Sequence, residues 1–168
     1  RHVFNLSAVA RTPKFSRRVL GIVANDWQLS PIIRARSAQF FSVTTGVDNA
    51  LTGQPTQVPN LVGDPYPKDQ HIRNWIAASA FLAPAPGTYG NHGLFNMKGP
   101  KVFQFDVALS RSFVIRENQQ LQLRGEAFNV LNHVNFNNPV STLNSGTFGQ
   151  IQSAGEPRIM QFALKYLF

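Results

Sequence analysis

Three segments of this chain alternate apolar and polar residues with a period of two over about ten positions each. In KVFQFDVALSRSF, Phe103, Phe105, Val107, Leu109 and Phe113 alternate with Gln104, Asp106, Ala108, Ser110 and Ser112. In QQLQLRGEAFNVL, Leu121, Leu123, Gly125 and Ala127 alternate with Gln120, Gln122, Arg124 and Glu126. The segment RIMQFALKYLF sets Met160, Phe162, Leu164, Tyr166 and Phe168 against Gln161, Ala163 and Lys165. Such a pattern makes strands with one wholly apolar face, because successive side chains point to opposite sides. The third segment lacks the proline, bulge or inward charge that blunts a soluble edge strand.

Two further segments alternate more loosely. HVFNLSAVAR places Phe4, Leu6, Ala8 and Ala10 on one face, and DWQLSPIIRARSAQFFSVT places Trp27, Leu29, Pro31, Ile33 and Ala35 on one face. Pro31 cannot donate to a ladder, so a bulge or weak pairing is expected there. The reading is therefore all-β and antiparallel, with about five long strands near residues 2–11, 27–41, 102–114, 119–131 and 158–168. In the 102–131 hairpin odd positions carry the apolar face in both strands, so the loop must be odd-numbered. A three-residue loop around Glu117 or Asn118 meets that condition.

Between the strands lie two long stretches rich in Gly, Pro, Asn and Thr, at 44–100 and 132–157. The connections at 12–26 and 114–119 are short. Long loops alternating with short ones, between strands near the 9–11 residues of a tilted membrane strand, predict a segment of an antiparallel transmembrane β-barrel. The long loops would be extracellular and the short ones periplasmic. Phe103, Phe105, Val107, Leu109, Leu121 and Leu123 would face lipid. Arg34, Arg36, Asp106, Arg124, Glu126 and Lys165 would face the lumen, where charge is tolerated. Trp27, Phe113, Tyr166 and Phe168 would contribute to an aromatic girdle at the short-turn interface.

Composition fits that expectation. Charged residues are only 14%, below the roughly 25% of soluble domains, while phenylalanine fills 14 positions. The net charge of +8 suits an anionic partner. Apart from Lys14, Arg17 and Arg18, the basic residues are scattered, which fits lipid headgroups better than nucleic acid. No cysteine is present, excluding disulfides and thiolate chemistry. No apolar run reaches the length of a membrane-spanning helix, and no signal peptide is visible. The start at Arg1, inside an expected strand, reads as a processed product or part of something longer.

Little in the sequence points to catalysis, a cofactor or a metal. His2, His71, His92 and His133 lack paired ligand spacing, and Asp48, Asn49, Asp64 and Asp69 read as turn formers rather than a calcium loop. Gly87, Gly90, Gly93 and Gly99 have no strand-to-helix context for a phosphate loop and are expected to supply positive φ. No serine sits in a nucleophile elbow. Arg124, Glu126 and Asp106 either line a substrate path or pair with one another. The chain is not expected to be an enzyme.

The stretches LRGEAFNVLNHVNFNNP and TLNSGTFGQIQSAGEPRIMQFALKYLF resemble the end of the TonB-dependent receptor family, in particular its Oar-like, Acidobacteria-type branch. PNLVGDPY, WIAASAFLAPAPGTYGN and GPKVFQFDVALSRSF are similar to the segments preceding that end. The resemblance implies the C-terminal part of an outer-membrane barrel of some 22 strands, closed around a plug and driven by the TonB complex. It also implies that Phe162, Leu164, Tyr166 and Phe168 form the aromatic terminal signal read by the barrel-assembly machinery. Expected partners are thus outer-membrane lipid, the remaining barrel and plug, the TonB complex and that machinery. Transport of a bulky solute, peptide or protein is the implied function. The competing reading is a structural subunit or fragment pairing with other chains through exposed strand edges; a soluble nucleic-acid binder is a weaker third.

Overall fold

The computed structural model describes residues 2–168; Arg1, and with it the reading of the chain start as mid-strand, lies outside the described residues. In chain order the elements are β1 (Val3–Ser7), β2 (Ala10–Arg11), α1 (Arg18–Ala24), β3 (Trp27–Arg36), β4 (Phe40–Phe41), β5 (Asn60–Leu61), a 3-10 turn (Ala78–Ala80), β6 (Phe81–Leu82), β7 (Met97–Lys98), β8 (Val102–Arg116), β9 (Gln119–Phe128) and β10 (Ile159–Leu167). They divide into two compact units.

One unit comprises residues 3–36, 103–134 and 156–168. Its six-stranded antiparallel sheet runs β1-β3-β8-β9-β10, with β2 also on β3. Register sorts its faces. Phe162, Gly125 and Leu109 stand in line, as do Leu164, Leu123 and Arg111, then Tyr166, Leu121 and Phe113. One position along, Gln161, Glu126 and Ala108 form a row, followed by Ala163, Arg124 and Ser110, then Lys165, Gln122 and Ser112. The sheet thus has one apolar and one polar face. The apolar face is bare: Phe162 is 82% and Leu164 65% exposed. Burial that would normally drive such residues inside is not supplied by this chain's own sheet.

Several expected boundaries need correction. The strand at 2–11 breaks between Ser7 and Ala10, where the Ala8 N–H reaches the Pro31 carbonyl. Opposite it, Pro31 has no N–H to return, so the ladder loosens there. The strand expected to run to residue 41 ends at Arg36, and Phe40–Phe41 pairs instead with Met97–Lys98 in the other unit. The strand expected to reach 131 stops at Phe128, because Asn129 and Asn132 take left-handed φ of 48° and 52°. The expected three-residue loop is a two-residue turn, Glu117 and Asn118, with a bulge between Val114 and Arg116. The bulge adds the extra residue that keeps odd positions opposite odd ones. Helix α1, in the 12–26 connection, was not anticipated.

The second unit contains residues 37–102 and 135–155. These are most of the two long loops, expected as irregular, and they build a core of their own. Phe41, Val43, Ile76, Ala80, Phe81 and Met97 are buried together, flanked by Leu61, Tyr66, Trp75, Leu143 and Phe148. Backbone bonds stitch the two loops: Leu143 N–H to Thr44 O (2.8 Å), Trp75 N–H to Gly149 O (2.8 Å) and Ile151 N–H to Ile72 O (2.7 Å). Among Gly87, Gly90, Gly93 and Gly99, Gly87 alone has the expected positive φ, of 76°. Gly90 and Gly99 serve differently, since a Cβ would strike the Val58–Pro59 backbone and the Asn138 side chain.

Candidate functional site

In the sheet unit, the polar face concentrates the chemistry. Four of the six residues expected to face the lumen, Arg34, Asp106, Arg124 and Glu126, line one open cleft of about 330 Å³ with Ser30, Ile32, Ala108, Phe128 and Val107, the last of which was expected to face lipid. Arg36 and Lys165 do not line it; they stand opposite Val3 and Gln122 on the same face.

Asp106, on β8, is 5% exposed and its carboxylate is fully used. Its Oδ2 accepts Arg34 Nη2 from β3 at 2.6 Å, and its Oδ1 accepts Gln104 Nε2 and the Asn129 N–H, each at 2.9 Å. Asn129 in turn donates through Nδ2 to the His133 and Glu156 carbonyls and accepts the His133 N–H at Oδ1. A single residue in left-handed geometry therefore joins the ion pair to both ends of the 132–157 loop. Glu126 is paired with Arg124 on its own strand and accepts from Gln161 on β10. Both carboxylates are satisfied, whereas Arg34 and Arg124 keep about half their side-chain surface exposed, 53% and 51%. The cleft consequently presents donors to solvent more than acceptors. Gln104, Asn129 and Gln161 were not singled out from sequence; the run of asparagines around 129–138 was the available signal for a special-φ node.

On the apolar face, Val107, Leu109, Leu121 and Leu123 stand in the central rows. Phe103 and Phe105 lie on β8 before its register with β9 begins at Val107; the Phe105 carbonyl accepts the Val130 N–H at 2.8 Å, and the Phe103 ring meets His133 edge-on at 6.0 Å. Phe162, Leu164 and Tyr166 continue the rows on β10, and Phe168 stacks on Tyr166 at 5.9 Å. Arg111 interrupts this face, a residue to which alternation assigned no role. Its guanidinium lies over Trp27 (5.4 Å) and Phe113 (4.5 Å) and donates to the Ile22 carbonyl. Trp27, Phe113, Tyr166 and Phe168 all fall at the end of the sheet bearing the short connections.

In the loop unit, Asp48 accepts the Thr52 N–H (3.0 Å), the Gly53 N–H (2.5 Å) and Gln57 Nε2 (2.6 Å). The Thr52 backbone bond leads in holding its pKa below the usual carboxylate value. Asp64 accepts the Tyr66 N–H (3.0 Å), and Asp69 accepts Asn74 Nδ2 (3.3 Å). These are turn-closing bonds. His92 is buried with its ring edge-on to Phe81 at 5.4 Å, and burial lowers its pKa. His2 bonds through its backbone N–H to Ser37 Oγ, and His71 Nδ1 contacts the Asp69 carbonyl. Among the described residues no group of three metal-ligating side chains converges.

The protein-family model described as an outer membrane beta barrel domain matches residues 1–161. No curated protein and no solved structure matches the chain.

Proposed function

Because the chain belongs to the outer membrane β-barrel family, we propose that its sheet is part of the wall of a TonB-dependent, Oar-like receptor that passes a bulky solute, peptide or protein. It resides in the bacterial outer membrane, in contact with lipid. The observation that carries the reading is the two-faced sheet: bare aromatic and aliphatic rows on one side, a charged cleft on the other. Lipid covers the first and the second lines the lumen. Half-exposed Arg34 and Arg124 suit an acceptor-rich cargo or plug surface. The folded loop unit is the extracellular recognition element in this reading. Energy comes from the TonB complex through a plug, and Phe168 with the alternating residues before it addresses the assembly machinery. No catalytic step is assigned.

A second reading has its own support. The sheet is open, with β1 and β10 at its edges, and membrane barrels need about eight strands or more. A subunit that completes a barrel with other chains would present such edges. Detergent extracts of outer membranes separate the two. Antibody to the loop unit should detect one species of receptor mass whose gel mobility shifts on boiling, and cargo uptake should fail without the TonB complex. A stable 18.7 kDa species without the shift would refute the receptor reading and favour the subunit.

A further inference from the structure

The short connection between β2 and β3 carries a helix whose surroundings are unusual for a water-exposed turn. In α1, Val19, Ile22 and Val23 lie at i, i+3 and i+4, forming one stripe. They are 74%, 65% and 62% exposed. Three ties hold the helix. Trp27 Nε1 donates to the Val23 carbonyl at 2.8 Å, Arg111 donates to the Ile22 carbonyl, and Asn25 exchanges two bonds with the Phe15 backbone. Gly21 fits against that last pair, where a Cβ would lie 3.1 Å from the Phe15 carbonyl oxygen. Register places Arg111 on the apolar face of the sheet, in line with Leu123 and Leu164. Arg34 contacts Asp106 on the polar face, so alternation places Trp27 on the apolar one. The helix is therefore anchored on the apolar side, at the end of the sheet with the short connections. Arg17 caps it and Arg18 opens it, and it contains no acidic residue, whereas Lys14 lines an open cleft with Ser110, Ser112 and Gln122 of the polar face.

We propose that α1 is an interfacial anchor lying on the periplasmic leaflet of the outer membrane, with Val19, Ile22 and Val23 dipped among the acyl chains and Arg17 and Arg18 engaging anionic phospholipid headgroups. Continuity with the bare apolar face selects lipid as the occupant, and the arginine pair selects its charge. Arg111 acts within this arrangement as a bracket. Half-buried against the Trp27 and Phe113 rings and bonded to a helix carbonyl, it is a cation the apolar face tolerates near the headgroup level. The inference rests on the outer-membrane location and not on any transported cargo.

These 168 residues hold no cysteine, so single labels placed in them test this in the full-length protein, with any cysteine elsewhere replaced, reconstituted into nanodiscs of phosphatidylethanolamine with or without phosphatidylglycerol. An environment-sensitive fluorophore on Val19→Cys should be shielded from iodide and quenched by nitroxide lipids. The same label on Asn118→Cys, in the hairpin turn, should stay open to iodide. Shielding at position 19 should strengthen with phosphatidylglycerol. Each of Arg17→Gln and Arg18→Gln should weaken the attachment roughly fivefold. A label on Leu164→Cys reports the sheet itself. Iodide access at 19 with shielding at 164 overturns the anchor alone; access at both overturns the outward apolar face and the anchor with it. Shielding indifferent to anionic lipid and to the two arginines overturns headgroup recognition. Shielding that grows with protein density assigns the stripe to a second copy instead and overturns the lipid assignment.

Discussion

Removing the Asp106 carboxylate should cost far more than its ion pair is worth. The carboxylate holds three donors, and they are not equivalent. Arg34 is about half exposed (53%) and can turn to water, so the pair itself contributes roughly 0–1 kcal/mol. The Asn129 N–H belongs to a residue only 3% exposed whose side chain is committed to the His133 and Glu156 backbones. Stranding such a buried donor costs about 1–3 kcal/mol. Asp106→Ala should accordingly destabilise the barrel by about 2–3 kcal/mol, and Arg34→Ala by under about 1 kcal/mol. The assay is reversible denaturant unfolding from lipid vesicles, run as a double-mutant cycle on Arg34 and Asp106. The expected coupling energy is under about 1 kcal/mol, well short of the Asp106→Ala total. A coupling equal to that total would show that the ion pair dominates and would refute the argument. A neutral Asp106→Ala would refute it from the other side.

Other consequences are readily measured. His92 has a folded pKa below the ordinary histidine value of 6.5 because burial disfavours the charged ring. The loop unit should thus be fully stable above about pH 6.5 and lose stability as the pH falls toward the lowered folded pKa. Proteolysis or hydrogen exchange around Ile76 should show this, and His92→Phe should remove the dependence. Gly149→Ala places a methyl against the Ile76 carbonyl at a φ of 77°; it should cost about 2 kcal/mol or more and accelerate proteolysis in 44–100. Leu164→Arg, on the bare apolar face, should destabilise the inserted barrel by up to about 2–4 kcal/mol, while Ala163→Arg beside it on the polar face should be nearly neutral. Phe168→Ala should slow appearance of the heat-modifiable form in cells; an unchanged assembly rate would remove Phe168 from the signal.

The period of two made the sheet legible because register multiplies it. Once Leu123 is known to face one way, pairing carries the same face to Leu164 on one side and to Arg111 on the other. Arg34 and Asp106, Arg124 and Glu126 were placed on one face by the same rule, 72 positions apart in the first case. What the rule could not supply is the exception to it. Alternation has no entry for a cation in an apolar row, and the reason Arg111 is tolerated lies in Trp27, Phe113 and the Ile22 carbonyl, which only the fold assembles. Bulges are hidden for a related reason: parity demanded an odd insertion, and Ile115 meets it as well as a longer loop would.

The long loops were opaque for a different physical cause. Their core residues follow no period, since Val43, Ile76, Phe81 on β6 and Met97 on β7 come from separate short segments and meet only after the chain has folded back on itself. These stretches are rich in Gly, Pro and Asn, which in isolation predicts mobile surface. Here the same residues serve closure: Gly90 and Gly99 leave room for backbone and side-chain approach, and Asp48 holds its turn through Thr52, Gly53 and Gln57. On the proposed receptor reading, a recognition element built this way would meet cargo with its backbone already ordered. Ordering entropy, which a flexible loop would surrender on binding, has been met in folding the unit. Loosening that core by Gly149→Ala should therefore weaken cargo affinity without touching a residue on the loop surface. If affinity were unchanged while proteolysis rose, the folded loops would not be a preorganised recognition element.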